Sequence, residues 1–310
     1  MSGIIRVLPQ DVVELIAAGE VVERPASVLK ELIENALDAG ATQIEAAVAA
    51  GGRALVSVAD NGRGMSRDDA LLSVERHATS KIREADDLER VATLGFRGEA
   101  LAAISSVARF LLRTRRAADP AGTELVMAAG KLQDVRDAGC PPGTLVEVRN
   151  LFFNVPARRK FLRSEQTEMA RLRQVFVVYA LAHPDVGLKL VSDGRQLFNL
   201  APGASPAERL RELFPACGAA ALRPVAYEAG GIGVSGHAGL PAIGRADRAE
   251  QYVFVNGRPA TAPAVASAVR EGYHTLLPRD RHPVVFLFIA LDPSLVDVNV
   301  HPTKREVRFY

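Results

Sequence analysis

The chain has few of the residues that would cross-link it or hold a metal through thiolates. Only two cysteines, Cys140 and Cys217, occur in 310 residues, and no regular spacing connects them. Disulfide frameworks and zinc sites need several cysteines at short intervals. We therefore expect a reduced protein that has neither.

Long apolar runs and an excess of one charge are also missing. The longest apolar run, 284–291, is far shorter than the roughly 20 residues that a membrane-spanning helix requires. The 38 Lys and Arg residues nearly balance the 36 Asp and Glu residues, so the net charge is only +2. Contact with nucleic acid must therefore come from local basic clusters. No charged segment leads into an apolar stretch at the start, and we expect a cytoplasmic protein without membrane contact.

Apolar residues make up 48% of the chain, which is enough for two packed cores. The best linker is 201–206, where Pro, Gly and Ser are concentrated, and it predicts one domain over 1–205 and a second over 206–310. The last residues have strand character without a turn behind them. We expect the chain to be the front part of a longer protein.

Hydrophobic periodicity predicts an α/β protein in both halves. Pro25 and Gly40 bracket a helix, Ser66 begins a second helix that runs toward His77, and 78–98 is loop-like. Further helices are predicted at 99–107, 165–181, 207–214 and 262–275. The predicted strands are 44–48, 55–59, 110–114, 124–128, 144–149, 188–191, 197–200, 222–228, 232–238, 251–255, 284–291 and 296–300.

Three short motifs carry candidate chemistry. Glu31 and Asn35 lie one helical turn apart on one face, where a carboxylate can accept a proton and an amide oxygen can complete a magnesium shell. Asp60 ends an apolar strand and is followed by Asn-Gly-Arg-Gly, so a buried carboxylate could accept a hydrogen bond from an adenine amino group. Gly95-Phe-Arg-Gly98 precedes a helix whose free amide groups suit phosphate oxygens. Taken alone, each motif favours a solvated helix face or an ordinary glycine turn over a functional site, and the three become informative only as an ordered series.

The order and wording of the motifs resemble a known family. Glu31-Leu-Ile-Glu-Asn35, Asp60-Asn-Gly-Arg-Gly64, Arg76-His-Ala-Thr-Ser-Lys81 and Gly143-Thr144 are similar to the motifs of the GHKL ATPase superfamily, which includes gyrase B, histidine kinases, heat-shock chaperones and MutL. Ile16-Ala-Ala-Gly-Glu-Val-Val-Glu-Arg-Pro25, Gly95-Phe-Arg-Gly-Glu-Ala-Leu101, Pro156-Ala-Arg-Arg-Lys-Phe-Leu162 and Val298-Asn-Val-His-Pro-Thr-Lys304 resemble the N-terminal region of the MutL mismatch repair family.

The resemblance implies a Bergerat-type ATPase sandwich, in which helices cover one face of a mixed sheet, followed by a second α/β domain like that of ribosomal protein S5. It implies ATP and Mg²⁺ as ligands, with Glu31 as general base, Asn35 as magnesium ligand and Asp60 as adenine acceptor. Lys304 would reach the γ-phosphate, and 78–98 would be the ATP lid. The other implied nucleotide-binding residues are Gly62, Gly64, Met65, Thr79, Ser80, Lys81, Leu94, Gly95, Phe96, Arg97, Gly98 and Thr144.

The resemblance also implies self-association on ATP binding, and the mismatch recognition protein MutS and a downstream repair helicase or nuclease as partners. For non-specific single- or double-stranded DNA, the basic candidates are Arg158, Arg159 and Lys160 with Arg163, the group Arg113, Arg115 and Arg116, and Arg258 and Arg270. Two alternatives stay open: another ATPase of the superfamily, such as a topoisomerase subunit, or a nucleotide-sensing DNA-binding module with negligible turnover.

Overall fold

The computed structural model describes residues 22–75, 99–297 and the short strand Arg308–Phe309. Contacts between Cα atoms group the described residues into two compact units. The first contains the described residues up to Tyr179 together with Asp185–Gly203. The second contains Ala180–Pro184 and the described residues from Ala204 onward.

The first unit is built on an eight-stranded mixed sheet. Its strands are β1 (Gln43–Ala49), β2 (Leu55–Asp60), β3 (Arg109–Arg115), β4 (Gly122–Ala128), β5 (Lys131–Ala138), β6 (Gly143–Arg149), β7 (Gly187–Ser192) and β8 (Arg195–Leu200). Their order across the sheet is β5-β4-β3-β6-β2-β1-β7-β8. Neighbouring strands are antiparallel except β1 and β7, which run parallel.

One face of this sheet is apolar and the other is charged. Ile44, Ala46 and Val48 alternate along β1 and are at most 2% exposed. Between them, Glu45 pairs with Lys189 of β7 at 3.1 Å on the open face. A fully buried Val, Leu or Ile contributes roughly 1.5–3 kcal/mol, so the alternation fixes which face the helices cover. The predicted sandwich with helices on one face of a mixed sheet is therefore confirmed.

Helix α1 (Pro25–Asp38) lies on that face against β1 and β2. Pro25 occupies the first turn, where a missing amide hydrogen costs nothing, and Gly40 follows the helix with φ of 74°. Helices α2 (Arg67–Leu72), α3 (Ala100–Ser106), α4 (Pro156–Phe161) and α5 (Glu165–Ala182) complete the unit. Phe176 of α5 stacks on Phe198 of β8 at 5.5 Å between ring centroids.

The second unit combines a five-stranded sheet with two helices, α6 (Pro206–Leu213) and α7 (Pro263–Gly272). Its strands are β9 (Leu222–Ala229), β10 (Ile232–Gly239), β11 (Gln251–Val255), β12 (Arg258–Pro259) and β13 (Val285–Ala290), in the order β12-β11-β13-β10-β9. Strands β14 (Val296–Asp297) and β15 (Arg308–Phe309) form a separate pair. Phe254 stacks on Phe288 at 4.9 Å within the larger sheet. The predicted second α/β domain is confirmed.

The structure corrects several sequence predictions. The helix that begins after Ser66 ends at Leu72 instead of running toward His77, since Ser73 caps it by donating to the Ala70 carbonyl. Strand β5, strand β12 and helix α4 were not predicted, and the side chains of β5 are mostly exposed and carry no apolar alternation. The predicted turns at Asp193-Gly194 and Asn256-Gly257 are confirmed, with positive φ at all four residues.

Candidate functional site

A polar row closes the apolar face of the first sheet. The register places Asp60 of β2 opposite Thr144 of β6, Thr144 opposite Thr114 of β3, and Thr114 opposite Thr123 of β4. The two preceding rows on this face are apolar, for example Val58, Val146 and Leu112. The helix-covered face therefore ends in hydrogen-bonding groups where β2 ends.

Thr114 connects this row and was not predicted from the sequence. Its hydroxyl is 3.0 Å from the Thr144 hydroxyl and 3.0 Å from the Gly143 carbonyl, and it accepts from the Met65 backbone amide at 2.9 Å. Thr114 is 1% exposed, so these partners replace water. The only sequence signal for it was a hydroxyl on the buried face of a strand whose other buried positions are apolar.

The Asp60 carboxylate is held in a partly dehydrated position. Burial raises its pKa from 3.8 to about 6, although hydrogen bonds from the backbone amides of Gly62 and Thr144 oppose that rise. The Gly62 amide donates to Oδ1 at 2.8 Å. A buried carboxylate gains from further donors, and an exocyclic amino group is such a donor.

The Asp-Asn-Gly-Arg-Gly turn is fixed to the end of α1 and to β3. Asn61 Oδ1 accepts from the amides of Thr42 and Gln43 at 2.9 Å each, and the Arg63 amide donates to the Ala39 carbonyl at 3.1 Å. Gly64 has φ of 65°, and a Cβ there would lie 2.0 Å from the Arg115 carbonyl. Glycine is therefore required at this contact.

A Cβ on Gly62 would lie 2.9 Å from Cβ of Ala39, so the turn packs directly on that residue of the helix end. Asn35 and Glu31 are one and two turns before Ala39, on the same side of α1. At 1.5 Å per residue, Glu31 is about 12 Å along the helix axis from the turn. Glu31 and Asn35 therefore lie on the side of α1 that leads through Ala39 to the Asp60 turn.

Glu31 and Asn35 are both half-buried, and the Glu31 side chain is 22% exposed. Lys30 Nζ lies 2.9 Å from Glu31 Oε1 and 2.9 Å from Glu34 Oε2. The polar side of α1 is not uniformly exposed to solvent. Glu34 on that side is 5% exposed and accepts a hydrogen bond from the Tyr179 hydroxyl at 2.5 Å. Burial raises the pKa of Glu34, whereas the nearby carboxylates leave the pKa of Lys30 above its usual value despite burial.

Several predicted site residues lie outside the described residues, so the structure does not place them. They are Thr79, Ser80, Lys81, Leu94, Gly95, Phe96, Arg97, Gly98 and Lys304.

The basic candidates differ in their surroundings. Arg113 pairs with buried Glu124, Arg116 pairs with Asp119 at 2.8 Å, and Arg115 donates to the carbonyls of Cys140 and Asp119, so all three side chains are engaged within the protein. Arg158 donates to the Val22 carbonyl at 3.2 Å, and its guanidinium lies 5.9 Å from the centre of the Phe152 ring. Lys160, Arg163 and Arg270 are exposed, and Arg258 is half-buried.

Arg159 lines a cleft of about 440 Å³ together with Arg53, Arg109 and Phe153. The cleft lies where β2 begins and β6 ends. Asp60 and Thr144 lie at the other end of these two strands. Across 22–75 and 99–297, none of the three arginines forms an ion pair.

The first unit and its site define a class of protein. The family model for histidine kinase-, DNA gyrase B- and HSP90-like ATPases matches residues 23–136, which include Glu31, Asn35 and Asp60. The chain therefore contains an ATPase domain of the GHKL superfamily. A second family model, described as the C-terminal domain of DNA mismatch repair protein, matches residues 210–310.

Individual relatives narrow the class. The DNA mismatch repair protein MutL of Opitutus terrae is 52% identical over 305 residues, which cover 98% of this chain and 49% of that protein. The MutL of Pelobacter propionicus is 49% identical over 312 residues, which cover 100% of this chain and 51% of that protein. The chain spans about half the length of these curated relatives.

Solved structures of a MutL ATPase domain and of a DNA repair protein also match this chain. The Aquifex aeolicus MutL ATPase domain complexed with ADP superposes with a TM-score of 0.66 at 33% identity, covering 88% of this chain and 94% of that one. The N-terminal domain of a DNA repair protein superposes with a TM-score of 0.81 at 26% identity, covering 96% and 92%. The chain belongs to the MutL family of DNA mismatch repair proteins. Within its described residues, no helix is both long and apolar enough to cross a membrane.

Proposed function

We propose that this chain binds ATP with Mg²⁺ and hydrolyses it to ADP and phosphate, and that the bound nucleotide switches the protein between states in mismatch repair. The observation that carries the proposal is the alignment of Glu31 and Asn35 on the face of α1 that leads to the Asp60 turn. These residues suit one extended ligand whose two ends differ chemically. The base of ATP would lie at Asp60, and the γ-phosphate would lie at Glu31 and Asn35.

At the adenine end, Asp60 accepts a hydrogen bond from the exocyclic amino group. Thr144 supports the same edge of the base through its hydroxyl, which Thr114 orients at 3.0 Å. Gly62 and Gly64 let the turn pack on Ala39 and on the Arg115 carbonyl, which holds the turn's backbone beside Asp60 and the adenine ring. Met65 takes part through its backbone amide, which Thr114 fixes in place.

At the phosphate end, Glu31 orients the attacking water and accepts its proton. A positioned base of this kind typically contributes about 10²- to 10⁴-fold in rate. Asn35 provides an amide oxygen for Mg²⁺, a hard cation that prefers oxygen ligands. When bound, Mg²⁺ neutralises charge on the phosphate oxygens.

The proposal also includes the ATP lid, 78–98, and Lys304 of the second domain. Their roles rest on membership of the family. The Gly95-Phe-Arg-Gly98 amides would hold phosphate oxygens, together with Thr79, Ser80, Lys81 and Leu94. Lys304 would contact the γ-phosphate, which gives ATP and ADP different affinities for two arrangements of the protein. A ligand shifts such an equilibrium only through this difference.

The test is a pair of substitutions in purified protein. Glu31→Ala should bind Mg-ATP with nearly unchanged affinity and hydrolyse it at least about tenfold more slowly. Asn35→Ala should weaken the magnesium-dependent part of nucleotide binding. Glu45→Ala, which removes a carboxylate from the open face of the sheet, is the matched control and should behave as wild type. Undiminished turnover in Glu31→Ala would remove the base assignment and favour a nucleotide sensor.

The switch is proposed to act through self-association, with MutS and a downstream helicase or nuclease as partners of the longer protein. Solution mass measured with and without a non-hydrolysable ATP analogue tests it. The mass should double with the analogue and Mg²⁺ and should stay that of one chain in the Asp60→Ala variant. Equal masses of the wild-type protein in both conditions would reject the switch for this chain.

Non-specific DNA contact is supported by the cleft that Arg53, Arg109 and Arg159 line. Glu165 also lines this cleft, but three arginines outnumber it. Like charges that converge repel one another, and a phosphate backbone relieves that repulsion. Arg159→Ala should weaken DNA binding and reduce its salt dependence. Arg116→Ala removes the same charge beyond the opposite end of β3 and serves as control. Equal affinities in the two variants would exclude the cleft as the DNA-binding site. The remaining candidates would then be Lys160, Arg258 and Arg270.

A further inference from the structure

Lys30 occupies an unusual position next to the proposed base. Its ammonium group bridges Glu31 Oε1 and Glu34 Oε2, at 2.9 Å from each. Residues four apart on a helix are natural partners, so the contact with Glu34 is ordinary. Adjacent residues do not face each other, so the contact with Glu31 requires the lysine to bend across the helix surface.

Glu34 holds the lysine in that bent conformation. Its second oxygen, Oε1, accepts from the Tyr179 hydroxyl of α5 at 2.5 Å, so both carboxylate oxygens are engaged. Glu34 and Tyr179 are 5% and 3% exposed. The anchor is therefore buried and tied to a second helix, whereas the Lys30 and Glu31 side chains remain 27% and 22% exposed.

The consequence falls on Glu31. Lys30 occupies Oε1, and within the described part of the chain Oε2 accepts no hydrogen bond. A carboxylate held at one oxygen presents the other in a defined direction.

We propose that Lys30 is a positioning residue for ATP hydrolysis, which Glu34 and Tyr179 anchor and which fixes the orientation of Glu31. This inference rests on the proposed function, because it requires Glu31 to act as the base. Lys30 does not contact the nucleotide in this scheme and acts only through Glu31.

The test compares Lys30→Met with Lys30→Arg. In Lys30→Met, affinity for Mg-ATP should stay within about twofold, and kcat should fall at least about tenfold, because small displacements of a catalytic group cost up to about 10²-fold. Lys30→Arg keeps a cationic donor that can bridge the two carboxylates and should recover most of the lost kcat.

A purely structural role gives a different result. If Lys30 only neutralises Glu34, Lys30→Met will lower the melting temperature while kcat of the folded protein stays unchanged, and the inference is then wrong. Adding Lys30→Met to Glu31→Ala gives a second measure, because the lysine should have no further effect once its target is gone. A full additional loss of rate would also overturn the inference.

These outcomes separate the two proposals. Wild-type turnover in Glu31→Ala would overturn the proposed function and this inference with it. Loss of turnover in Glu31→Ala with an unchanged kcat in Lys30→Met would overturn the inference alone. If Lys30→Met does not fold, Lys30→Gln is the substitute, since it can still donate to one carboxylate but lacks the charge.

Discussion

The raised pKa of Asp60 makes nucleotide affinity depend on pH in a specific direction. The carboxyl group has a pKa of about 6 in the protein without nucleotide. An adenine amino group donates a hydrogen bond, and the ionised carboxylate accepts it better than the protonated acid does. Binding therefore favours ionisation, and affinity should fall as the pH drops through 6.

The size of the effect follows from the fraction ionised. With that pKa, about 97% of Asp60 is ionised at pH 7.5 and about 9% at pH 5, so affinity should fall by up to about tenfold between these values. The phosphates of the nucleotide also titrate in this range. The pH dependence must therefore be compared with a variant that shares every group except the carboxylate.

Asp60→Asn is that variant. Its amide cannot titrate, and it can accept fewer of the hydrogen bonds that the amides of Gly62 and Thr144 and the adenine offer. Calorimetric titration with a non-hydrolysable ATP analogue from pH 5 to 7.5 should show weaker binding in Asp60→Asn at pH 7.5 and convergence with wild type near pH 5. Parallel pH curves for the two proteins would refute the role of Asp60.

Three further predictions concern the fold around the site. Gly143→Ala should destabilise the protein by about 3 kcal/mol or more, because φ is 123° and a Cβ would lie 2.0 Å from the Asp60 carbonyl. Gly139→Ala is the control: a Cβ there meets nothing within 4 Å, so its urea unfolding should match that of wild type. Tyr179→Phe should cost about 1–3 kcal/mol in the free energy of unfolding by removing a donor from buried Glu34, and Tyr227→Phe, at a residue 64% exposed, should cost almost nothing. Because folding raises the pKa of Asp60 from 3.8 to about 6, its contribution to stability is greatest below pH 4 and is lost as the pH rises to 6. The loss is at most about 3 kcal/mol and smaller after solvent screening, and denaturation of wild type and Asp60→Asn at several pH values measures it.

Much of the first unit could be predicted because local signals and the final fold agree. Pro25, Gly40 and an apolar stripe define α1, and alternation along β1 and β6 gives strands whose inner faces are buried. The Glu31–Asn35 pair and the Asp60 turn could be identified from the sequence for the same reason. The pair lies on one face of a strongly patterned helix, and the turn follows a strongly patterned strand.

The rest depends on contacts between distant residues. Nothing local distinguishes Glu34 from Glu31, and only packing of α5 on α1 brings Tyr179 to Glu34. Thr114 joins the site because strand register places it opposite Thr144. Strand β5 pairs at a sheet edge through its backbone, so its exposed side chains keep no apolar period.

The central claim is that Asp60, Asn35 and Glu31 surround one nucleotide, and a crystal structure with a non-hydrolysable ATP analogue and Mg²⁺ measures this directly. We predict that the adenine amino nitrogen lies within about 3.2 Å of an Asp60 carboxylate oxygen. Asn35 Oδ1 should coordinate the metal at about 2.0–2.1 Å, with Glu31 facing the γ-phosphate. An adenine away from Asp60, or a metal that Asn35 does not reach, would contradict the account.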